Sequence, residues 1–226
     1  MTADAADRVT RVIAVRHGQT EWNAQSRIQG HTDIGLDATG LRQARALGAA
    51  LAGAGLDAIY ASDMARALQT AQAVADRTGL AVAADAGLRE RGFGIFEGLT
   101  HAAVAERWPE LALRWRRRDP AFGPEGGEAL ADFYARAVAC AERIAARHPG
   151  QTIALVAHGG VLDCLYRAAT RAALQSPRTW QLGNASINRL LYSSGGFTLV
   201  GWNDAMHLDA MAAQSENDAP AARSLS

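Results

Sequence analysis

The chain has 226 residues, 49% of them hydrophobic, and its 23 basic and 23 acidic side chains give a formal net charge of zero. That length supports one α/β domain with a sizeable core, and the charge balance argues against a nucleic-acid or membrane-surface role, where a net basic face is expected. Every basic residue is arginine, which excludes chemistry that depends on a lysine, as in P-loop ATPases, kinases, Schiff-base enzymes and PLP enzymes. The polar, acidic N-terminus lacks a signal-peptide pattern, and no apolar stretch approaches the ~20 residues of a membrane helix. A cytoplasmic protein is therefore expected. Cys140 and Cys164 lie in helical patterns without paired spacing and read as buried, reduced thiols.

In chain order, a first strand runs from about Val9 to Arg16, and a polar loop continues to about Asp37. Thr39-Gly40-Leu41 opens an Ala- and Leu-rich helix that stops at Gly53-Ala-Gly55. The short strand Ala58–Ala61 follows, and Ser62 or Asp63 is placed to cap a helix from Met64 to Arg77. Val82–Ala84 reads as a third strand, and the Gly-rich, poorly periodic stretch Leu88–Gly98 as an ordered loop. Short helical patterns cover Thr100–Arg117, and a long helix covers about Glu128–His148. A strand over Thr152–Ala157 leads through His158 into a helix near Val161–Ala173. Ala185–Ser193 and Phe197–Asn203, parted by Ser194-Gly-Gly196, read as a β-hairpin.

Strands alternating with helices imply an α/β fold: a three-layer αβα sandwich with a mainly parallel central sheet, an antiparallel edge hairpin and a small helical cap. The expected organisation is a single domain over residues 1–208 with a cap insertion around 99–126. An Ala/Ser/Asn-rich tail over 209–226 has too little to bury and reads as disordered.

Two apolar runs each end in His-Gly: Val12-Ile-Ala-Val-Arg16-His17-Gly18 and Ile153-Ala-Leu-Val-Ala157-His158-Gly159. Ligands of open α/β sheets bind beyond the carboxyl ends of the strands. Two imidazoles there, one preceded by arginine, point to an anionic group. A neutral imidazole attacks phosphorus when its other nitrogen is pinned by a backbone carbonyl, and a following glycine permits that close approach. Arg16 and His17 can share one site only where the strand breaks into loop. A metal reading of the His pair is disfavoured, because no HxH or HExxH spacing occurs and arginines beside a divalent ion would repel it.

Without a metal, protein cations must neutralise a phosphoryl group in transfer. Arg16 supplies one. Arg66, in the first turn of a helix after a strand, is a second candidate, although on its own it reads equally as a solvated helix arginine. Protonation of a leaving alkoxide calls for an acid, and Glu90 and Glu97 compete for that part. Trp115-Arg116-Arg117-Arg118 reads as a solvated face or a substrate clamp.

Arg16-His17-Gly18-Gln19-Thr20-Glu21-Trp22-Asn23 resembles the signature of the histidine phosphatase superfamily, the phosphoglycerate mutase-like family. The likeness runs from about Val12 to Asn203 through Arg27-Ile-Gln29-Gly30, Ser62-Asp63 with Arg66-Ala-Leu-Gln-Thr70, Leu88-Arg-Glu90, Phe96-Glu97-Gly98, Gly126-Gly127-Glu128 and His158-Gly159-Gly160. The resemblance implies that His17 is the nucleophile that becomes phosphohistidine and that Glu90 rather than Glu97 is the proton donor. Arg16, Arg66 and His158 would complete the phosphate pocket. Gly18, Thr20, Asn23, Gln29, Gly30 and Gly159 would bind phosphate or line the substrate mouth.

The branch implied is the broad-specificity bacterial phosphatases: a metal-independent phosphomonoesterase without cofactor, acting on small phosphate esters. Two alternatives stand beside it. One is a 2,3-bisphosphoglycerate-dependent phosphoglycerate mutase; the other is a non-catalytic phospho-ligand binding module. The mutases carry a Tyr and then a Lys after the catalytic Glu, where this chain has Phe93 and His101. Arg116 to Arg118 resemble the mutases' paired arginines. Expected partners are small-molecule phosphate esters and, for assembly, a second copy of the chain, with no nucleic acid and no membrane.

Overall fold

The structure, a computed structural model, describes residues 8–209, so the reading of the tail as disordered falls, from residue 210 on, outside the described residues. Six strands, β1 (Thr10–Arg16), β2 (Ala58–Ala61), β3 (Val82–Ala84), β4 (Thr152–Ala157), β5 (Ile187–Ser193) and β6 (Gly196–Asp204), form one sheet in the order β3-β2-β4-β1-β5-β6. The first four in that order are parallel, whereas β5 runs antiparallel to β1 and β6 antiparallel to β5. Helices α1 (Glu21–Ala24), α2 (Ala38–Leu51), α3 (Ala65–Thr78), α4 (His101–Arg107), α5 (Pro109–Arg116), α6 (Leu130–Ala145) and α7 (Gly159–Thr170) complete the named elements.

The strand period of two assigns residues to layers. Val12 and Ala14 of β1, with Ile153, Leu155 and Ala157 of β4, pack against α6 and α7. Ile13 and Val15, with Ala154 and Val156, pack against Leu47 and Leu51 of α2 and Ala67, Ala71 and Val74 of α3. Both faces of β1 and β4 are covered, which is why these strands read as continuous apolar runs. The chain leaves β1 toward the α2/α3 layer and leaves β4 toward the α6/α7 layer. Adjacent parallel strands departing to opposite faces create a topological switch point, and the crevice opens at their carboxyl ends. His17 and His158 sit there.

A third, smaller core lies over that end of the sheet, where Ile28, Phe96, Val104, Ala112 and Phe122 are buried against Phe93, Trp108 and Trp115. The α4–α5 hairpin is built on this cluster, which gathers Ile28 and Phe96 from outside the stretch expected to form the cap. The Gly-rich loop before it contains two 3-10 turns, Ala86–Leu88 and Gly94–Phe96.

The start of α3 differs from expectation. Neither Ser62 nor Asp63 caps it: the N-cap position is Met64, and the Ala65 N–H donates to Asp33 Oδ1 at 2.8 Å. Asp63 faces Arg89 instead, through contacts of 2.7 and 2.6 Å. A carboxylate 32 residues away took the capping role, and no local pattern records that.

Candidate active site

β1 ends at Arg16, and the His17 N–H still donates to Ala157 O at 2.9 Å. The break after this bond lets Arg16 and His17 face one cavity of about 1010 Å³. Gly18 then turns sharply: its N–H donates to Thr70 Oγ1 at 3.0 Å, and a Cβ there would stand 2.7 Å from Gly40 O. The same turn brings Gly18 O to 2.7 Å from His17 Nδ1. A carbonyl can only accept, so Nδ1 carries the proton and Nε2 keeps its lone pair.

His17 is buried, and its pKa lies well below the ordinary 6.5, chiefly because burial penalises the charged ring; the Arg66 and Arg16 guanidiniums push it further down and the Gly18 carbonyl opposes. The imidazole is therefore neutral at physiological pH. His158, the N-cap residue of α7, stands with its ring centroid 5.2 Å from that of His17. It is fully buried, and neither ring nitrogen has a hydrogen-bond partner. Burial, then Arg66, His17, Arg16 and His31, holds its pKa well below 6.5 as well.

Two guanidiniums converge on these rings. Arg16 donates from one terminal nitrogen to Leu182 O, and its Nε is buried without a partner. Arg66 is fully buried rather than solvated; it donates to Gly30 O at 2.9 Å and Thr32 O at 3.1 Å, with its Nε unpartnered. Burial lowers the pKa of both; Glu90 raises both, and for Arg16 the neighbours Arg178 and Arg66 add to the lowering. Buried polar atoms normally find partners. Four orphaned nitrogens surround one imidazole nitrogen, an arrangement whose unmet donors a multiply charged oxyanion would satisfy.

Glu90 is held at the cavity wall by two backbone donors, Arg91 N–H to Oε1 at 2.8 Å and Gly160 N–H to Oε2 at 2.9 Å. A side chain at position 160 would displace this carboxylate, since a Cβ would come 2.1 Å from Glu90 Oε1. Glu97 has another task. It is absent from the cavity wall, and its carboxylate accepts from the backbone N–H groups of His31, Phe93 and Thr32 and from the Thr32 hydroxyl. Burial works to raise its pKa, but those donors outweigh it and hold the group below the usual carboxylate value. Glu97 is a loop clamp.

Asn23, Gln29, Gly30 and Gly159 line the cavity, but Gly18 and Thr20 do not. Thr20 is fully buried: it caps α1 by accepting from Asn23 N and bonds Gln29 Oε1 at 3.0 Å. Asn23 Oδ1 accepts from Thr20 N–H and from Asn184 Nδ2, which leaves its amide NH2 as the donor group. Arg116 and Arg118 reach the cavity from the end of α5, and Arg117 does not.

The sequence reading missed the segment between α7 and β5. Pro177, Arg178, Trp180 and Leu182 form a further wall of the cavity, and Asn184 Nδ2 holds His17 O at 3.1 Å. This stretch lacks periodicity, and its role depends on where β5 returns beside β1. A Pro-Arg-Thr-Trp run in an otherwise polar loop was the one available signal.

Residues 12–205 match the model of the histidine phosphatase superfamily (branch 1). Phosphoglycerate mutase-like protein 4 of Arabidopsis thaliana is 36% identical over 203 residues, covering 88% of this chain and 86% of the relative. A metal-independent phosphoserine phosphatase of Arabidopsis thaliana is 33% identical over 206 residues, covering 90% and 85%. Glucosyl-3-phosphoglycerate phosphatase of Mycobacterium tuberculosis is 38% identical over 192 residues, covering 81% and 86%. A solved structure of a mycobacterial glucosyl-3-phosphoglycerate phosphatase with VO3 superposes with a TM-score of 0.77 at 33% identity, covering 86% of this chain and 99% of that one. The chain belongs to the histidine phosphatase superfamily. Among the described residues no helix is long and apolar enough to cross a membrane.

Proposed function

We propose that the protein is a phosphoric monoester hydrolase that acts without a metal on small phosphorylated metabolites, through a phosphohistidine at His17. The observation that carries this reading is the His17 ring itself: neutral, pinned at Nδ1 by Gly18 O, and open at Nε2 toward the buried nitrogens of Arg16, Arg66 and His158. Nε2 attacks phosphorus and the bond to the ester oxygen breaks. Glu90 gives its proton to the departing alkoxide. In the second half Glu90 takes a proton from water as the hydroxyl attacks phospho-His17, which releases phosphate and restores the neutral ring. Arg16, Arg66, His158 and the Asn23 amide hold the equatorial oxygens, a charge that a divalent ion would otherwise balance. Guanidiniums where a metal would sit support metal independence, as does the relative named metal-independent phosphoserine phosphatase.

Hydrolysis is favoured over mutase chemistry by what stands where the mutases' Tyr and Lys would grip substrate. Phe93 has no hydroxyl, and its ring packs against Trp115 at 5.3 Å. His101 lies stacked on Trp115 at 4.8 Å, and its pKa is lowered by burial and then by Arg178, so it supplies no fixed cation.

The test is a panel of phosphate esters assayed in EDTA, including 3-phosphoglycerate with and without 2,3-bisphosphoglycerate. Full phosphate release in EDTA is expected. Loss of activity in EDTA restored by a divalent ion would overturn metal independence, and 2-phosphoglycerate formed only with the bisphosphate would replace the phosphatase with the mutase.

Glu90→Gln keeps the shape and one of the two backbone contacts, since its NH2 cannot accept the second N–H, and it cannot give up a proton. It should slow alkyl phosphates by a factor on the order of 100 or more, and p-nitrophenyl phosphate far less, because nitrophenolate departs with little protonation. Equal losses for both ester classes would mean that Glu90 only positions substrate.

A further inference from the structure

We propose that Asp163 reads the leaving group: its free carboxylate oxygen selects phosphate esters that carry a hydrogen-bond donor, hydroxyl or ammonium, a few bonds from the ester oxygen. The proposal rests on the phosphomonoesterase reading above and adds a specificity element to it. Asp163 is 5% exposed and forms part of the cavity wall. Two guanidiniums bind it, Arg118 at 2.6 Å and Arg167 at 3.0 Å, and both use the same oxygen, Oδ2. Neither guanidinium uses the second oxygen, although Arg–carboxylate pairs are frequently bidentate. Here Oδ1 is buried with no partner at all. A buried carboxylate oxygen without a donor is costly, and an orphan in a cavity wall points to a ligand.

Its position suits the part. Asp163 lies on α7 three residues after Gly160, whose N–H holds Glu90 Oε2, so the backbone positions of Gly160 and Asp163 share one helix face, roughly 5 Å apart. A leaving-group substituent that extends along this face from the oxygen protonated by Glu90 meets Asp163. Beside it, the Arg167 guanidinium lies 4.8 Å over the Trp180 ring, and Trp180 Nε1 is also buried without a partner. A hydroxyl can give to Asp163 and accept from Trp180, whereas an ammonium can only give.

Three esters of similar size separate these cases: glycerol 1-phosphate carries hydroxyls, O-phosphoethanolamine an ammonium, and propyl phosphate no donor. The wild type should favour one or both donor-bearing esters over propyl phosphate by about tenfold or more in kcat/KM, because a site that hydrogen-bonds its substrate rejects the analogue lacking the group. Which ester leads identifies the donor. Asp163→Ala removes the acceptor for a hydroxyl and an ammonium alike, so the preference should fall by about fivefold or more, mainly through KM. A preference unchanged in Asp163→Ala overturns the proposal. Should that variant fail to fold, the wild type decides alone: propyl phosphate turned over as well as the other two overturns it. A wild type that hydrolyses none of the three, nor p-nitrophenyl phosphate, would instead sink the phosphatase reading.

Discussion

His17→Ala should abolish turnover, with kcat lower by about three orders of magnitude or more, the scale on which loss of a covalent nucleophile is felt. Nothing nearby can substitute. The His158 ring has its centroid 5.2 Å away, and it stands at the N-cap position of α7 with neither nitrogen pinned to a carbonyl. The variant should still bind inorganic phosphate, because Arg16 and Arg66 remain. Phosphate that raises the Tm of both wild type and variant would separate the nucleophile from the binding cations. Wild-type turnover in His17→Ala would overturn the mechanism.

Arg66→Ala is the second large effect, and it acts in two ways. It removes a buried cation that no metal replaces, which should lower kcat/KM by about 3 kcal/mol, or more than a hundredfold. It also changes His17 itself. Arg66 is the largest contribution after burial to the depression of the His17 pKa, so its loss should let that pKa rise toward 6.5. More of the ring is then protonated at any given pH, and activity in the variant should fall off at a higher pH on the acid side than in wild type. Phosphate should no longer raise Tm appreciably. An acid limb at the same pH as in wild type would mean that Arg66 acts on substrate alone.

Much of this was legible in the chain because the signals were local. The apolar runs of β2, β3 and β4 coincide with the expected Ala58–Ala61, Val82–Ala84 and Thr152–Ala157, since short alternating or continuous apolar runs bounded by turn formers have little choice of state. His17 and His158 come together because β1 and β4 are neighbours in parallel register, Arg16 opposite Ala157. What was hidden is tertiary. Arg66 reads as a solvated helix residue until the loop at Gly30 and Thr32 folds over it with two carbonyls. Glu97 and Glu90 look alike in sequence, and they differ only in where their oxygens find donors. Thr20 lies inside the signature octapeptide, yet its hydroxyl is spent on Asn23 and Gln29 beneath the cavity. Asp163 carries no motif; its meaning depends on Arg118, 45 residues away, sharing one of its two oxygens.

The central claim is that the phosphoryl group passes through Nε2 of His17. Rapid acid-free denaturation of the wild type during turnover of a 32P-labelled ester, followed by peptide mapping, tests it directly. Base-stable, acid-labile label is expected on the peptide containing His17, absent from His17→Ala and accumulating in Glu90→Gln when the ester has a good leaving group. Steady hydrolysis with no protein-bound label, or label that persists in His17→Ala, would contradict it.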